Sequence, residues 1–358
     1  MKSNYNQLGQ YIEMVSRTNS DLKYGIEDVR GCSNTKQMMQ TRANLIGRTY
    51  EKFIVLRPQE FVFNRRTTRN GEKIGMAYNN TDREYIFTND YVAFRVKQEY
   101  LDKLLPDYLY LFFCRDEFDR YARYKSTGSA TEFFNWEDMC AVPFEIPPMD
   151  FQQLVVNAYK VLNKRIETKQ KINDNLATQA LTLFSDFVSH LSKKLEQRKL
   201  GDVIASANTG GDAIQKVPIV DYDTGIKCAR VGDITNAREY ASWAFCNASK
   251  SVYDNYKLQA GDILVTRTAT LGITQYIAKD ISAVYNNGLI RLKVNDTNAL
   301  PLYIYWAMKT SDFLNYINQM NSATSVRPNM KIDYLLNYQL SIPSIEEQTQ
   351  FTNTVEPL

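Results

Sequence analysis

A chain of 358 residues is long for one domain and sufficient for two, each able to bury its own core. Hydrophobic residues at 44% and charged residues at 23% exclude a disordered tail, while a net charge of +3 does not by itself single out a nucleic-acid partner. No apolar run approaches the ~18 residues of a membrane-spanning helix, and the first residues lack the apolar stretch of a secretory signal, so a cytoplasmic location is expected.

Leu8-Gly9 opens the first organised segment, followed by the β-like runs Phe53-Ile54-Val55-Leu56 and Phe61-Val62-Phe63-Asn64-Arg65. The latter run ends in a basic, glycine-punctuated stretch, Arg65-Arg66-Thr67-Thr68-Arg69 with Lys73. Asn89-Asp90-Tyr91-Val92-Ala93-Phe94 reads as another strand after a turn. Pro106-Asp107-Tyr108-Leu109-Tyr110 reads as a helix with proline at its first position. Arg115, Arg120 and Arg123 fall on the next helical stretch beside acidic residues, the pattern of a salt-bridged face. Lys125-Ser126-Thr127-Gly128-Ser129 is a small, polar turn, with Ala130-Thr131 after it, and Phe144-Glu145-Ile146-Pro147 closes the half.

From Phe151 to about Arg198 there is neither glycine nor proline, and apolar residues recur at helical spacing. Val155, Leu162, Leu176 and Leu183 share one heptad position; Tyr159, Ile166, Ala180 and Phe187 share the companion position. Lys169 and Asn173 interrupt the seam at its middle, where polar residues commonly set register. A helix of roughly 45 residues would be about 65–70 Å long, and its apolar seam calls for a partner.

The second half repeats the first at an offset near two hundred residues. Leu200-Gly201 echoes Leu8-Gly9, and Ile263-Leu264-Val265-Thr266-Arg267 echoes Phe61 to Arg65. Asn287-Gly288-Leu289-Ile290-Arg291-Leu292 echoes Asn89 to Phe94, and Pro301-Leu302-Tyr303-Ile304-Tyr305 echoes Pro106 to Tyr110. Ser322-Ala323-Thr324 and Leu340-Ser341-Ile342-Pro343 complete the series in the same order. The fold class expected is α+β, with two similar mixed α/β domains separated by a long coiled-coil-type helix. The boundaries expected are 1–147, 148–198 for the helix, 199–343, and 344–358 for the start of a second helix.

The motifs of catalysis are missing. The one histidine, His190, sits at helical spacing beside Leu191 and Phe187, which removes most routes to a Ser-His-Asp triad, a Cys-His pair or a histidine-ligated metal. Five scattered cysteines read as small buried hydrophobes, with neither a disulfide frame nor a zinc site. No glycine loop for a dinucleotide or nucleoside triphosphate occurs, nor the Asn-Pro-Pro-Tyr or Asp-Pro-Pro-Tyr tetrapeptide that amino-methyltransferases use to hold a flipped base. The 24 tyrosines suit recognition surfaces and ordinary cores equally.

With these features in view, the chain resembles the specificity subunit of type I restriction-modification systems. The residues that carry the resemblance are Gly232-Asp233-Ile234, Leu258-Gln259-Ala260-Gly261-Asp262-Ile263-Leu264-Val265, Asn286-Asn287-Gly288 and Ile342-Pro343-Ser344-Ile345-Glu346-Glu347-Gln348. In the long helix, Leu181-Thr182-Leu183-Phe184-Ser185-Asp186-Phe187 resembles the end of the family's central helix; the first half matches more loosely, through Phe61 to Asn64 and the Ile146-Pro147-Pro148 helix start.

The resemblance implies two target-recognition domains, each reading one part of a split DNA site, held apart by the helix. It implies no catalysis and no cofactor in this chain. S-adenosylmethionine, magnesium and ATP are expected on partner methylation and motor/nuclease subunits. In the family a second long helix follows the second domain, whereas fifteen residues follow Pro343 here. Two readings remain open: a shortened or split gene product, or a second helix supplied by another chain or a second copy.

The DNA-contact candidates are Arg65, Arg66, Arg69, Lys73, Ser126, Ser129 and Thr131 in the first half, and Arg230, Arg267, Thr268, Ser322 and Arg327 in the second. Arginine and threonine anchor phosphates, and arginine can fork onto a guanine edge; solvated turns are the plain alternative. Asn286-Asn287-Gly288 reads as a turn that positions a strand. The candidates for a subunit-facing helix seam are Val155, Tyr159, Leu162, Ile166, Leu176, Leu183 and Phe187. The rival readings are a stand-alone DNA methyltransferase or nuclease, and a repeat-domain protein that binds RNA or another protein.

Overall fold

The computed structural model describes residues 6–41, 45, 47–67, 73–128, 131–191, 197–211, 216–323 and 328–356. The chain divides into two compact units, Met1–Thr168 and Lys169–Leu358.

The first unit contains β1 (Ile12–Val15), β2 (Arg30–Cys32), β3 (Met38–Gln40), β4 (Ile54–Leu56), β5 (Phe61–Asn64), β6 (Met76–Tyr78), β7 (Tyr85–Phe87) and β8 (Tyr91–Val96). Helices α1 (Pro106–Phe113), α2 (Asp116–Lys125) and α3 (Trp136–Cys140) follow, and then the start of α4 (Met149–Leu191). The main sheet is antiparallel in the order β1-β8-β5-β6. Its central strand shows why a continuous apolar run is needed, because successive side chains leave a strand on opposite faces and both faces are covered. Phe61 and Phe63 pack with Leu109, Phe113 and Phe118 of the helices, while Val62 packs with Val15, Ala77, Leu56 and Phe87 toward the strand pairs β2–β3 and β4–β7. Aromatic stacking tightens the helical side: Phe61 lies 5.0 Å from Phe94 and 4.7 Å from Tyr78.

The second unit contains the end of α4, then β9 (Gln197–Lys199), β10 (Ile204–Thr209), β11 (Ile219–Val220), β12 (Lys227–Ala229), α5 (Val231–Thr235), β13 (Phe245–Cys246), α6 (Lys250–Tyr256), β14 (Ile263–Thr266), β15 (Thr274–Tyr276), β16 (Ala283–Tyr285) and β17 (Leu289–Val294). It closes with α7 (Pro301–Ala307), α8 (Ser311–Ala323), α9 (Ile332–Leu336), β18 (Gln339–Ser341) and α10 (Ile345–Val355). Its main sheet runs β10-β17-β14-β15, strand for strand the topology of the first. Register agrees as well: Ile263 pairs with Leu292 as Phe61 pairs with Phe94, and Ile204 with Val294 as Ile12 with Val96. Ile263 and Val265 face the helices, and Leu264 faces a second β layer. That second layer differs between the halves. In the first it is two two-stranded pairs, β2–β3 and β4–β7, joined by a single parallel bridge between Val29 and Ile86; in the second it is one sheet, β11-β13-β12-β16, with β12 and β16 parallel.

Helix α4 has 43 residues, about 65 Å at 1.5 Å per residue. Its first turns belong to the first unit, where Gln152 and Val156 are buried; its last turns belong to the second, where Ala180 and Phe184 are buried. The helix was expected to continue to about Arg198, but Gln197–Lys199 is a strand paired with Gln339–Ser341. Gln-Arg-Lys has no apolar period to hold it helical, and the backbone partner 140 residues away decides its conformation.

The expectation that the cysteines are buried holds for two. Cys228 and Cys246 are interior, Cys32 and Cys140 are partly covered, and Cys114 is exposed; all five are free. His190 is exposed on α4 with Nδ1 2.7 Å from the Asp186 carbonyl oxygen, a helix-surface position.

Candidate nucleic-acid interface

In the first unit the basic end of β5 is stitched to two downstream segments. The Arg65 carbonyl accepts from Phe134 N at 2.8 Å, and Thr67 donates to the Glu132 carbonyl through both N (3.0 Å) and Oγ1 (3.2 Å). Phe133 and Thr127 exchange backbone hydrogen bonds of 2.9 and 3.1 Å. Arg65–Thr67, Ser126–Gly128 and Thr131–Phe134 therefore lie side by side. Gly128 is obligatory there: its φ is +145°, and a Cβ would lie 2.0 Å from the Thr131 carbonyl oxygen.

Side chains in this patch differ in availability. Arg66 is exposed, its amide bonded to Asn64 Oδ1 at 3.0 Å and its guanidinium 3.5 Å from Asp90. Lys73 is exposed 3.5 Å from Asp116, and Thr131 is exposed. Ser126 donates to the Ala122 carbonyl at 2.7 Å, so its hydroxyl closes the end of α2. The salt-bridged arginine face is present, with Arg115 and Arg120 at 3.3 and 3.5 Å from Glu117 and Arg123 at 3.3 Å from Glu132. Sequence reasoning missed Tyr124. It is 82% exposed and has Lys125 Nζ 5.9 Å from its ring, an arrangement suited to stacking beside a phosphate. Its signal was an aromatic between two cations, Arg123 and Lys125, on the outer face of α2. Arg69 and Ser129 lie outside the described residues.

The second unit builds the equivalent patch with its arginine drawn inward. The Arg267 carbonyl accepts from Met330 N at 2.8 Å, the counterpart of Arg65 and Phe134. Its guanidinium donates to the Met330 carbonyl (3.1 Å) and the Asn287 carbonyl (3.1 Å). Thr268 bridges to Asn329. Asn286 Oδ1 accepts from Gly288 N at 3.1 Å, so Asn286-Asn287-Gly288 is the strand-positioning turn that was expected. A Cβ on Gly288 would sit 2.4 Å from Val231 Cγ2 and 2.9 Å from Thr268 Oγ1, which brings the segments at 230, 267 and 287 together. Arg230 caps α5 through Asp233: its N and Nε lie 3.0 and 3.2 Å from Asp233 Oδ2, and Arg238 holds the other oxygen at 3.2 Å. The side chain of Ser322, and Arg327 entirely, lie outside what is described.

On α4 the seam residues Tyr159, Leu162, Ile166 and Leu183 are exposed, and Val155 and Leu176 are partly covered. Phe187 packs in the second unit, 5.4 Å from Phe351 and 6.4 Å from Tyr303. Among the described residues no helix is long and apolar enough to cross a membrane.

The family model described as type I restriction modification DNA specificity domain matches the chain twice, over residues 33–178 and 192–358. The chain belongs to this family. As a type I specificity chain it carries two specificity domains, which fits a two-part DNA target. Its fold is similar to the crystal structure of the type I restriction-modification S subunit from M. genitalium, with a TM-score of 0.54 and 14% identity over 100% of this chain and 90% of that one. A crystal structure of the HsdS subunit from Thermoanaerobacter tengcongensis aligns with a TM-score of 0.36 and 16% identity over 99% and 88%. A chain from work on complex assembly and conformational transition of the type I system aligns with a TM-score of 0.39 and 14% identity over 99% and 89%. No curated protein sequence matched this specificity chain.

Proposed function

We propose that this specificity chain reads a split duplex site, one part per unit, and that it carries methylation subunits on the exposed seam of α4 while performing no chemistry itself. The observation that carries the reading is the repeated strand end. In both halves an inner strand of the main sheet, β5 or β14, runs into an arginine-threonine turn whose arginine carbonyl is bonded at 2.8 Å to a downstream loop. Two equivalent polar surfaces, each on a rigid sheet, match two half-sites. Exposed Arg66, Lys73 and Tyr124 supply backbone anchoring and stacking in the first; the turn 286–288, Thr268 and Asn329 line the second.

S-adenosylmethionine, magnesium and ATP would then bind the methylation and motor/nuclease partners. The exposed residues Leu162 and Ile166 give α4 an apolar stripe that a helical partner surface can cover. The test is duplex footprinting with the co-expressed methylation subunit, together with maps of methylated adenine with and without this gene. Two protected patches and gene-dependent methylation at a bipartite sequence are expected. Absence of any sequence preference overturns the reading, and S-adenosylmethionine binding by the chain alone overturns its non-catalytic part.

A further inference from the structure

Among the described residues each half contains one glutamine with no exposed surface, Gln152 and Gln348, and each sits five residues after a proline, Pro147 and Pro343. Neither residue is bonded to the nucleic-acid patches, and the two share a pair of equivalent hydrogen bonds. Gln152 Oε1 accepts from Leu105 N at 2.9 Å, and its Nε2 donates to the carbonyls of Pro147 (2.8 Å) and Lys103 (2.7 Å). Gln348 Oε1 accepts from Leu300 N at 2.7 Å, and its Nε2 donates to the Pro343 carbonyl at 2.8 Å.

Leu105 and Leu300 are the residues just before α1 and α7, whose first positions are prolines and whose caps receive no side-chain bond of their own. One amide therefore joins three things: the strap that leads into a helix, that helix's first turn, and the start of the helix lying on the sheet. A primary amide suits this place because it donates and accepts at once; a carboxylate would face carbonyls, and an aliphatic side chain would leave buried backbone groups unpaired.

At the first site the helix so held is α4. At the second it is α10, whose Phe351 lies 5.2 Å from Phe184 and 5.4 Å from Phe187 on the last turns of α4. The start of α4 is thus fixed directly within the first unit, and its end indirectly within the second.

We propose that Gln152 and Gln348 are positioning residues that set the angle at which α4 leaves each recognition domain, and so the spacing between half-sites that the chain accepts. The inference rests on the bipartite reading above. A loosened latch leaves each half-site surface intact but lets α4 swing against its domain, because the first turns of α4 hold few other buried side chains, Val156 among them.

The test uses the full chain co-expressed with its methylation subunit, acting on a plasmid library that carries randomised half-sites and spacers of varied length. Methylated adenines then report half-site sequence and spacer length in the same reads. Wild type is expected to favour one spacer length. Gln152→Leu is expected to keep both half-site sequences and to lose about tenfold of the discrimination against spacers one base pair longer or shorter. Gln348→Leu is expected to act in the same direction, more weakly. Gln152→Met, which keeps the length and flexibility of the side chain without introducing a charge, serves as the milder variant should the leucine variant fold poorly.

An unchanged spacer distribution in Gln152→Leu overturns the inference. So does loss of half-site preference in both Gln152 variants, which would mean the residue holds the domain together instead of aiming the helix. Absence of any bipartite preference in wild type overturns the functional reading itself, and the inference falls with it.

Discussion

At the start of the edge strand of each main sheet a backbone carbonyl receives a lysine ammonium, from a buried side chain in one half and a half-buried one in the other, and the two halves supply that lysine differently. In the first, Lys36 reaches in from the turn between β2 and β3, where its φ is +63°, and donates to the Ile74 carbonyl at 2.8 Å. It also pairs with Asp119 of α2, which in turn accepts from Ile74 N at 3.0 Å. In the second, Lys309 comes from the residue pair that follows α7, donates to the Thr274 carbonyl at 2.9 Å and lies 4.9 Å from the Tyr305 ring. Burial pushes its ammonium down from the ordinary 10.5 to about 8. Burial also lowers Lys36, but Asp119 opposes the shift. One frame therefore carries two electrostatic solutions. A paired charge is costly to break, whereas a solitary one lowered by burial alone brings its titration closer to neutrality.

The largest expected effect lies on the paired side. Asp119→Ala strands the Lys36 ammonium in the interior and should cost the first unit about 3–5 kcal/mol in denaturant unfolding. Replacing both partners, Lys36→Met with Asp119→Leu, should recover the part of that loss due to the stranded charge, but not the part due to the Ile74 backbone groups left unpaired. A cost under about 1 kcal/mol for the single change would remove the contrast between the halves.

The arginines at the two strand ends give a second contrast. Arg267→Ala removes charge-assisted bonds to the Met330 and Asn287 carbonyls and should lower the stability of the second unit by about 1.5–3 kcal/mol. Equal thermal shifts for Arg267→Ala and Arg66→Ala would show that the inward and outward placements are not energetically distinct.

The solitary lysine gives a pH signature. Its folded-state pKa, about 8, lies below the unfolded 10.5, so between those values the unfolded chain binds more protons. Stability of the second unit should therefore rise as pH increases above about 8, by a total on the order of 1–2 kcal/mol, before tyrosine ionisation intervenes. Lys309→Met should flatten that rise; a slope that survives the substitution assigns it to another group.

The smallest effect on folding is expected at Arg66, where an exposed ion pair contributes at most about 1 kcal/mol. Arg66→Ala should instead weaken DNA binding across all sequences and reduce the salt dependence by about one phosphate equivalent. Base-specific loss at a single position would move Arg66 from anchoring to reading.

Much of the frame was legible because it rests on local signals. Phe61 to Asn64 and Ile263 to Thr266 alternate between two buried faces, and proline opens both α1 and α7. The absence of glycine and proline after Phe151 leaves α4 uninterrupted. The patch residues were legible as residue types, but their availability was not. Nothing in Arg65-Arg66 or Thr266-Arg267 tells that Arg66 points outward while Arg267 is bound to a carbonyl 63 residues later. Gln348 stood in a motif without a role and Gln152 was not singled out at all, since the partners of both are backbone atoms, of Leu300 and Pro343 for one and of Lys103, Leu105 and Pro147 for the other.

Periodicity, punctuation and repetition are properties of neighbouring residues, so the sequence alone determined the strands, the long helix, the duplication and the absence of catalytic motifs. Whether a charge is exposed, paired or solitary depends on which distant segment the chain brings beside it. Lys36 meets Asp119 across 83 residues, and Gln197–Lys199 becomes a strand only because Gln339–Ser341 lies alongside. Those outcomes belong to tertiary structure, because desolvation and hydrogen-bond partners are set by packing and not by local order.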